Sequence, residues 1–283
     1  YRCSVTSTNT NVFYVQVVNS TGSNATTGSI YIQDAQLNQG LVAYPYLETT
    51  TSAVSGGIGV NQPRLDYSGG ATCPSVLLEP SRTNVVSRSE YFEFAWSSVN
   101  VTITSNETKS PEGVNNASML QVDAIGQPRL EQGGAVSTTY SVSIFIKKNV
   151  GDYFGFGWYQ GDIGNNYTRF NISTGVWDAR DGSAFSDEGV ADYGDGWYRI
   201  SAKLVTSSSS SKSGVKFVAM KSNGFTAGLL NDQFYIYGAQ LETGSYPSSY
   251  IPTYGASATR TGDVATSTCL LYTSDAADDL LCV

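Results

Sequence analysis

Alternation of apolar and polar residues is the feature of this chain that most limits its fold. In one segment Phe154, Phe156 and Trp158 are separated by single glycines. A period of two is that of a β-strand, because successive side chains point to opposite faces of the sheet. Each such segment therefore predicts a half-buried antiparallel strand. The segments are 96–107, 140–147, 153–160, 167–173, 197–205, 215–221 and 233–241.

Turn signals separate these segments, and no segment shows a convincing helical period. The residues between them are rich in Gly, Asn, Asp and Ser, which favour tight turns. Many short strands with short connections are typical of all-β folds. We therefore predict an antiparallel β-sandwich of the jelly-roll type. A β-barrel is the alternative, since alternation alone does not distinguish the two.

Two regions of the chain resemble each other in the same order, which indicates a tandem repeat. The matching pairs are 1–4 with 198–201, 31–40 with 235–244, and 46–49 with 250–253. The chain also begins in what reads as the middle of a strand, so we expect it to be a piece of a longer protein. We interpret it as the C-terminal part of an upstream repeat (1–54), a connector (55–76) and one complete β-sandwich repeat (77–266).

The last residues differ in character from the repeat. The string from Cys269 to Asp279 resembles a translated sequencing adapter, so we interpret 267–283 as a non-native tail. A genuine acidic tail is the alternative. The spacing of Cys3 and Cys73 does not decide whether those two cysteines pair.

Charge and the missing histidine exclude several functions. The formal net charge of −8 matches the phosphate backbone poorly, so we expect no nucleic-acid partner. Without histidine, Ser-His-Asp and Cys-His mechanisms are excluded within this chain. No apolar run reaches the roughly 18 residues of a transmembrane helix, so we expect no membrane insertion.

Several strings resemble a repeat found in tailed-phage structural proteins. Residues 78–84 (LEPSRTN), followed by 89–92 (SEYF) and Trp96, resemble its opening. Residues 194–199 (GDGWYR) resemble its late strand, and 235–241 with 250–253 and 259–260 resemble its closing strand and exit. Such repeats are similar to carbohydrate-binding-module and concanavalin-A-like jelly rolls in tail fibres and other virion adhesins.

The resemblance implies a non-catalytic adhesion module in a virion tail or in an extracellular setting. Its implied partners are a cell-surface glycan and neighbouring repeats of the same chain, and a homotrimer is a further option. A spacer repeat without a ligand is the alternative function, and a glycan-degrading enzyme is a third.

A carbohydrate-binding surface needs aromatic rings beside polar side chains. The alternation places Tyr159, Tyr167 and Arg169 on the face opposite Trp158, although a solvated sheet face would explain them equally well. Core packing accounts for Trp96, Trp158 and Trp197. The predicted ligand-binding residues are Tyr159, Tyr167 and Arg169, together with Trp177 on an adjacent strand or its turn and the loop residues Asp162, Asn165 and Asn166.

Acidic residues offer further alternatives. Glycosidases use two carboxylates about 5–9 Å apart, but Asp187–Glu188 and Asp192–Asp195 lie in Gly-rich turns, where acids are usually solvated. We therefore predict no catalytic residue and no enzyme. The acids of 178–182 lack the spacing of a calcium loop, so we predict no metal site or cofactor, with a structural calcium left open.

Two arginines lie in apolar surroundings. We expect Arg82 and Arg199 to form structural ion pairs with Glu79, Glu90 or Asp195 rather than to bind a ligand.

Overall fold

A computed structural model describes residues 75–93 and 96–264 of the chain, with a few shorter stretches before them. Those stretches are residues 21, 23, 27, 31–33, 35–37, 46–51 and 65–66. The predicted tail at 267–283 and both Cys3 and Cys73 lie outside the described residues. So do most of the predicted divisions 1–54 and 55–76.

Sixteen strands and no helix are found in the described part of the chain. They are β1 (Leu65–Asp66), β2 (Ser75–Val76), β3 (Arg82–Asn84), β4 (Ser97–Val99), β5 (Val101–Thr108), β6 (Ala117–Val122), β7 (Arg129–Gln132), β8 (Thr139–Lys148), β9 (Tyr153–Gln160), β10 (Gly164–Asn171), β11 (Val176–Asp181), β12 (Phe185–Asp192), β13 (Trp197–Val205), β14 (Val215–Met220), β15 (Gln233–Thr243) and β16 (Ala258–Arg260).

The strands form two large antiparallel sheets. One has six strands in the order β11-β10-β9-β14-β7-β4. The other has eight, with β12-β13-β8-β15-β3-β16 in order, β6 also paired to β15, and β5 paired to β6. β1 and β2 form a separate two-stranded ladder. The predicted all-β antiparallel sandwich is confirmed, and the two sheets are consistent with the jelly-roll type.

The main core lies between the two sheets and follows from the alternation. Phe154, Phe156 and Trp158 of β9 are fully buried there, together with Ile144 of β8 and other residues of the eight-stranded sheet. Burying one such side chain contributes about 1.5–3 kcal/mol to folding. Trp96 also lies in this core, as predicted.

A second apolar cluster lies on the outer face of the eight-stranded sheet. It contains Ala117, Phe145, Trp197 and Tyr237, with Tyr250 packed against them. Trp197 is therefore buried as predicted, but in this smaller cluster rather than between the sheets. The alternation of β13 requires this, because Tyr198 and Ile200 point into the main core.

The opening and closing motifs of the sequence meet on this side of the fold. Strand β3 pairs with β16, and Glu79 forms an ion pair of 3.0 Å with Arg260. The buried Asn84 amide donates to the carbonyls of Ala239 (3.1 Å) and Ile251 (2.9 Å). The residues of the opening motif thus bind those of the closing motif, although the two motifs are far apart in the sequence.

Three expectations about local structure are corrected. Only residues 161–163 form the turn between β9 and β10, so Asp162 lies in it as predicted, whereas Asn165 and Asn166 belong to β10, which begins at Gly164. Arg82 donates to the Thr243 carbonyl and Arg199 to the Ser143 hydroxyl, so neither forms the expected ion pair with Glu79, Glu90 or Asp195 in the described structure. Alternation did not identify eight strands: the strands of two or three residues β1, β2, β3 and β16, and the longer strands β6, β7, β11 and β12.

Candidate functional site

The predicted binding face is the outer face of the six-stranded sheet. In the pairing of β9 with β10, Tyr167 lies opposite Gly157, Arg169 opposite Gly155 and Asn165 opposite Tyr159. Trp158 lies on the other face of β9, in the core. The prediction that Tyr159, Tyr167 and Arg169 share the face opposite Trp158 is therefore confirmed.

Tyr167 and Arg169 are nevertheless buried on that face. Tyr167 is only 2% exposed and stacks on Phe225, with ring centroids 6.0 Å apart and planes inclined by 17°. Arg169 is 8% exposed and binds both carboxylate oxygens of Asp178, at 2.9 and 3.2 Å. Its guanidinium also lies over the Phe225 ring. These contacts hold the outer face together and leave little of either side chain for a ligand.

Trp177 does not join the predicted face. In the pairing of β10 with β11 it lies opposite Phe170, on the core side of the sheet. Its ring packs against Phe170 at 5.3 Å and Phe156 at 5.7 Å, and its Nε1 donates to the Gly189 carbonyl at 3.0 Å. The register shift between Arg169 and Phe170 inserts one extra residue, which sequence alternation cannot reveal.

Asn166 is also on the core side and is fully engaged. Its Oδ1 accepts the backbone N–H groups of Ser183 (2.9 Å) and Ala184 (3.0 Å). Its Nδ2 donates to the carbonyls of Ile163 and Gly164. A buried amide with this many backbone partners joins two connections of the fold and is not available to a ligand.

Three of the predicted residues keep exposed side chains near the β9–β10 turn. Tyr159 is 36% exposed, and Asp162 and Asn165 are exposed. The Asp162 carboxylate accepts a hydrogen bond from the Ser207 hydroxyl. Ligand binding by these three residues stays a prediction.

A different site lies on the outer face of the eight-stranded sheet. It is a depression of about 350 Å³, here called the tyrosine cleft, at the end of the sheet formed by β12 and β13. Its size is at the lower end of small-ligand sites, which span about 300–1,000 Å³. Residues 245–247, which follow β15, form the opposite wall. Its principal side chains are those of Asp187, Tyr193, Arg199, Ser201 and Tyr246.

The two tyrosines are half exposed and are held from behind. Tyr193 is 52% exposed and packs edge-to-face on Phe145, at 4.9 Å between centroids and 85° between planes. Tyr246 is 51% exposed, and the Arg82 guanidinium lies over its ring at 4.9 Å from the centroid. Such contacts reduce the freedom of each ring before a ligand arrives.

Polar groups complete the tyrosine cleft. Arg199 and Ser201 follow each other with period two on β13, so both point outward from the core. Arg199 lies over the Phe145 ring, 5.4 Å from its centroid, and donates to the Ser143 hydroxyl at 3.0 Å. At the rim, Lys203 binds Asp187 at 2.6 Å and holds the pKa of that carboxyl below its usual range.

A second, shallower depression of about 320 Å³ lies between β11 and β12. Trp177, Thr168, Arg180 and Glu188 line it. Arg180 and Glu188 form an ion pair, and Thr168 donates to Glu188 Oε1 at 3.1 Å. Its charged groups are thus paired with each other.

The acids considered for catalysis or calcium are distributed among separate contacts. Asp192 accepts the backbone N–H of Gly194 in a turn, and Asp195 pairs with Lys147 at 3.3 Å. Among the residues that the structure describes, no three acidic or cysteine side chains are grouped to hold a metal ion. In the same residues there is no helix that could span a membrane.

Sequence reasoning missed both tyrosines of the cleft. Tyr193 lies in the Gly-rich turn between β12 and β13, and Tyr246 lies between Ser245 and Pro247. A large aromatic residue inside a turn has no alternating neighbours and no core position to occupy. An aromatic residue in a turn thus indicates an exposed side chain, but a search for alternation does not detect it.

Comparisons with known proteins give only distant similarities. No protein-family model and no curated protein matches the chain. The solved structures that match it include three with TM-scores of 0.34 or below. The CBM22-1–GH10 modules of Clostridium thermocellum endo-1,4-beta-D-xylanase 10B, solved with xylohexaose, give a TM-score of 0.34 at 13% identity, covering 61% of this chain and 30% of that one.

The other two structures are similarly remote. The enzymatically active domain of bacteriophage CBA120 tailspike protein 4 gives a TM-score of 0.33 at 10% identity, covering 56% of this chain and 21% of the tailspike chain. The carbohydrate-binding module TmCBM27, studied for specific mannan recognition, gives 0.32 at 10% identity, covering 60% of this chain and 98% of the module. The neighbours thus include carbohydrate-binding modules and a phage tailspike domain.

Proposed function

We propose that the chain is a non-catalytic carbohydrate-binding module and that it binds glycans in the tyrosine cleft. The observation that carries the proposal is the pair of half-exposed rings, Tyr193 and Tyr246, on the walls of one depression. Pyranose rings present apolar C–H faces beside hydroxyl groups. A ligand of this kind needs aromatic surface and hydrogen-bonding groups in the same small site.

The aromatic part of this requirement is supplied by the two tyrosines. The face of an aromatic ring carries negative charge density, which attracts the weakly positive C–H groups of a sugar. Because Phe145 and Arg82 hold the rings, binding has less side-chain entropy to overcome. The polar part is supplied by Arg199, Ser201 and Asp187, which can meet sugar hydroxyls.

We further propose that this module belongs to a phage tail protein or another virion structural protein and acts in adhesion to the host. It is supported by the ordered motifs at 78–84, 194–199 and 250–253. A shallow site of this size would bind one glycan weakly, and an array of repeats or a homotrimer would raise the avidity. The alternative function is a structural spacer repeat, which would bind no glycan.

Binding of the full chain to a bacterial glycan array tests the proposal, followed by titration calorimetry with the best ligand. We expect Tyr193→Ala and Tyr246→Ala each to weaken binding about 5- to 150-fold, taking the stacking of a sugar face on an aromatic ring to be worth as much as that of a nucleic-acid base, about 1–3 kcal/mol. Tyr159→Ala is the matched control, because Tyr159 is a partly exposed tyrosine on the other sheet.

Two outcomes would contradict binding in the tyrosine cleft. Loss of binding in Tyr159→Ala with full binding in both cleft variants would move the site to the outer face of the six-stranded sheet. A chain that binds no glycan on the array would refute the carbohydrate-binding function.

A further inference from the structure

The tyrosine cleft contains a buried cation without an anionic partner. Arg199 is 9% exposed, and its one hydrogen bond to the described residues runs from Nη2 to the Ser143 hydroxyl. Its buried Nε has no hydrogen-bond partner. Within the described part of the chain, no carboxylate lies within ion-pair distance of this guanidinium.

This arrangement is unfavourable for the free protein. A buried charge is ordinarily paired, because removing it from water costs free energy that a counter-charge must offset. The Phe145 ring, 5.4 Å below the guanidinium, and one neutral hydroxyl replace only part of the lost hydration. Two other largely buried arginines have carboxylate partners: Arg169 binds Asp178, and Arg260 binds Glu79.

The acidic residue that lines the cleft forms an ion pair with a residue other than Arg199. Asp187 is bound by Lys203 at 2.6 Å and is largely exposed at the rim. Since its charge is balanced there, it neither neutralises Arg199 nor strongly repels an arriving anion. The site therefore combines two aromatic walls with an uncompensated guanidinium.

We propose that the tyrosine cleft selects anionic sugars, with the carboxylate or sulfate group of the ligand on Arg199. This inference rests on the proposed function and deepens it by naming the ligand class. A guanidinium presents its N–H donors in a planar fork that matches both oxygens of such a group. Nε has no hydrogen-bond partner in the described structure, so the guanidinium retains an unused donor.

Matched ligands test the inference on the full chain. An oligogalacturonide is compared with its methyl ester, which keeps the sugar and removes the charge, and a sulfated oligosaccharide is compared with its unsulfated form. We expect each charged ligand to bind about 10- to 100-fold more tightly than its neutral form. If only one of the two ligand comparisons shows a preference, it identifies whether the cleft binds a carboxylate or a sulfate group.

Arg199→Met should reduce that preference to less than about 3-fold and should not lower the melting temperature, because it removes a buried unpaired charge. Arg180→Met is the control, since it removes an arginine of the second depression and should keep the preference. Arg199→Lys provides a second variant that keeps the charge and loses the fork, with an intermediate preference expected. In the wild type, added salt should narrow the preference.

Three results would overturn the inference. Equal binding of charged and neutral ligands would leave the carbohydrate function standing and remove the anion selectivity. An unchanged preference in both Arg199→Met and Arg199→Lys would place the anion site elsewhere. Absence of binding by all four ligands and by the glycan array would refute the proposed function together with the inference.

Discussion

Asp187 and Glu188 are adjacent in the chain, yet their carboxylates face different depressions and bind different cations. Asp187 lines the tyrosine cleft and pairs with Lys203, whereas Glu188 lines the second depression and pairs with Arg180. Strand β12 shifts register between Ser186 and Gly189, and Asp187 has a positive φ of 50°. The two carboxylates therefore do not converge on one site, as an acid–base pair for glycoside hydrolysis would require.

The first prediction concerns this pair of acids. Glu188→Gln should lower the free energy of unfolding by about 1–2 kcal/mol, because Glu188 is mostly buried and accepts hydrogen bonds from Arg180 and Thr168. Asp187→Asn should change it much less, since that side chain is largely exposed. Urea denaturation followed by circular dichroism measures both. A larger loss in Asp187→Asn would contradict this assignment.

The second prediction is a pH dependence of stability centred on Glu90. This carboxyl is fully buried, and its Oε1 accepts hydrogen bonds from Tyr250 (3.0 Å), Tyr237 (3.3 Å) and Tyr254 (3.4 Å). Burial, and to a lesser extent the charge of Glu112, raises the pKa of Glu90 from 4.5 to about 7, against the lowering effect of the tyrosines.

A raised pKa means that the folded state retains a proton that the unfolded state has released. The stabilisation is therefore complete below pH 4.5 and is lost as the pH rises through 7, by roughly 3 kcal/mol in total. Glu90→Gln removes this titration. The difference in unfolding free energy between Glu90→Gln and the wild type should thus grow in favour of the variant from pH 4.5 to 8. A constant difference would show that Glu90 ionises normally.

The third prediction tests the amide that links the two ends of the sandwich. Besides its two donated bonds, Asn84 accepts the backbone N–H groups of Leu241 (3.1 Å) and Val86 (3.2 Å). Asn84→Ala leaves these buried backbone groups without partners, so we expect a loss of about 3–5 kcal/mol. Thr83→Ala, which removes a hydroxyl bonded to Thr259 on the same strand pair, should cost less than about 1 kcal/mol. Thermal unfolding of both variants is the measurement, and equal losses would contradict the role given to Asn84.

The fourth prediction separates two neighbouring asparagines of the predicted binding set. Asn166→Ala should destabilise the fold by about 2–3 kcal/mol, because two backbone N–H groups lose their acceptor. Asn165→Ala should stay within about 0.5 kcal/mol, since Asn165 is exposed. Chemical denaturation compares them directly. If Asn165→Ala were the more harmful change, the register of β10 against β9 would have to be different.

Alternation predicted the strands in which apolar residues clearly recur with a period of two, and it missed strands without that period. Strand β9 has the bounds 153–160 that its pattern of Phe154, Phe156 and Trp158 indicates. Strand β12 is an edge strand with mostly half-buried or exposed residues, so it carries little apolar period for sequence reasoning to detect. Each register shift, in the pairs β10–β11 and β12–β13, adds one residue to one of the two strands. The side chains that follow the extra residue therefore lie on the face opposite to the one that simple alternation predicts.

The candidate site was harder to predict than the fold, because exposure depends on what covers each face. Tyr167 and Arg169 were assigned to the correct face, but Phe225, more than fifty residues further along the chain, covers them. Tyr193 and Tyr246 lie in turns, where their exposure and their proximity depend on the packing of β12, β13 and the segment after β15. Such contacts join residues distant in sequence and leave no local periodicity.

The sequence by itself determined that this chain forms antiparallel strands with a core of the alternating aromatic and aliphatic residues, and that no histidine-dependent mechanism is available to it. The first conclusion depends on the local period of apolar residues, because a strand must bury its apolar side chains in any fold. The second depends on composition alone. Only the tertiary structure decided that Tyr167, Arg169 and Asn166 are buried and that Trp177 packs on the core side of its sheet. It also decided that Arg199 lines the same depression as two half-exposed tyrosines and has no carboxylate partner among the described residues. The reason is physical: burial and pairing of a side chain are set by whichever strands and loops pack over it, and neither can be read from its neighbours in the chain.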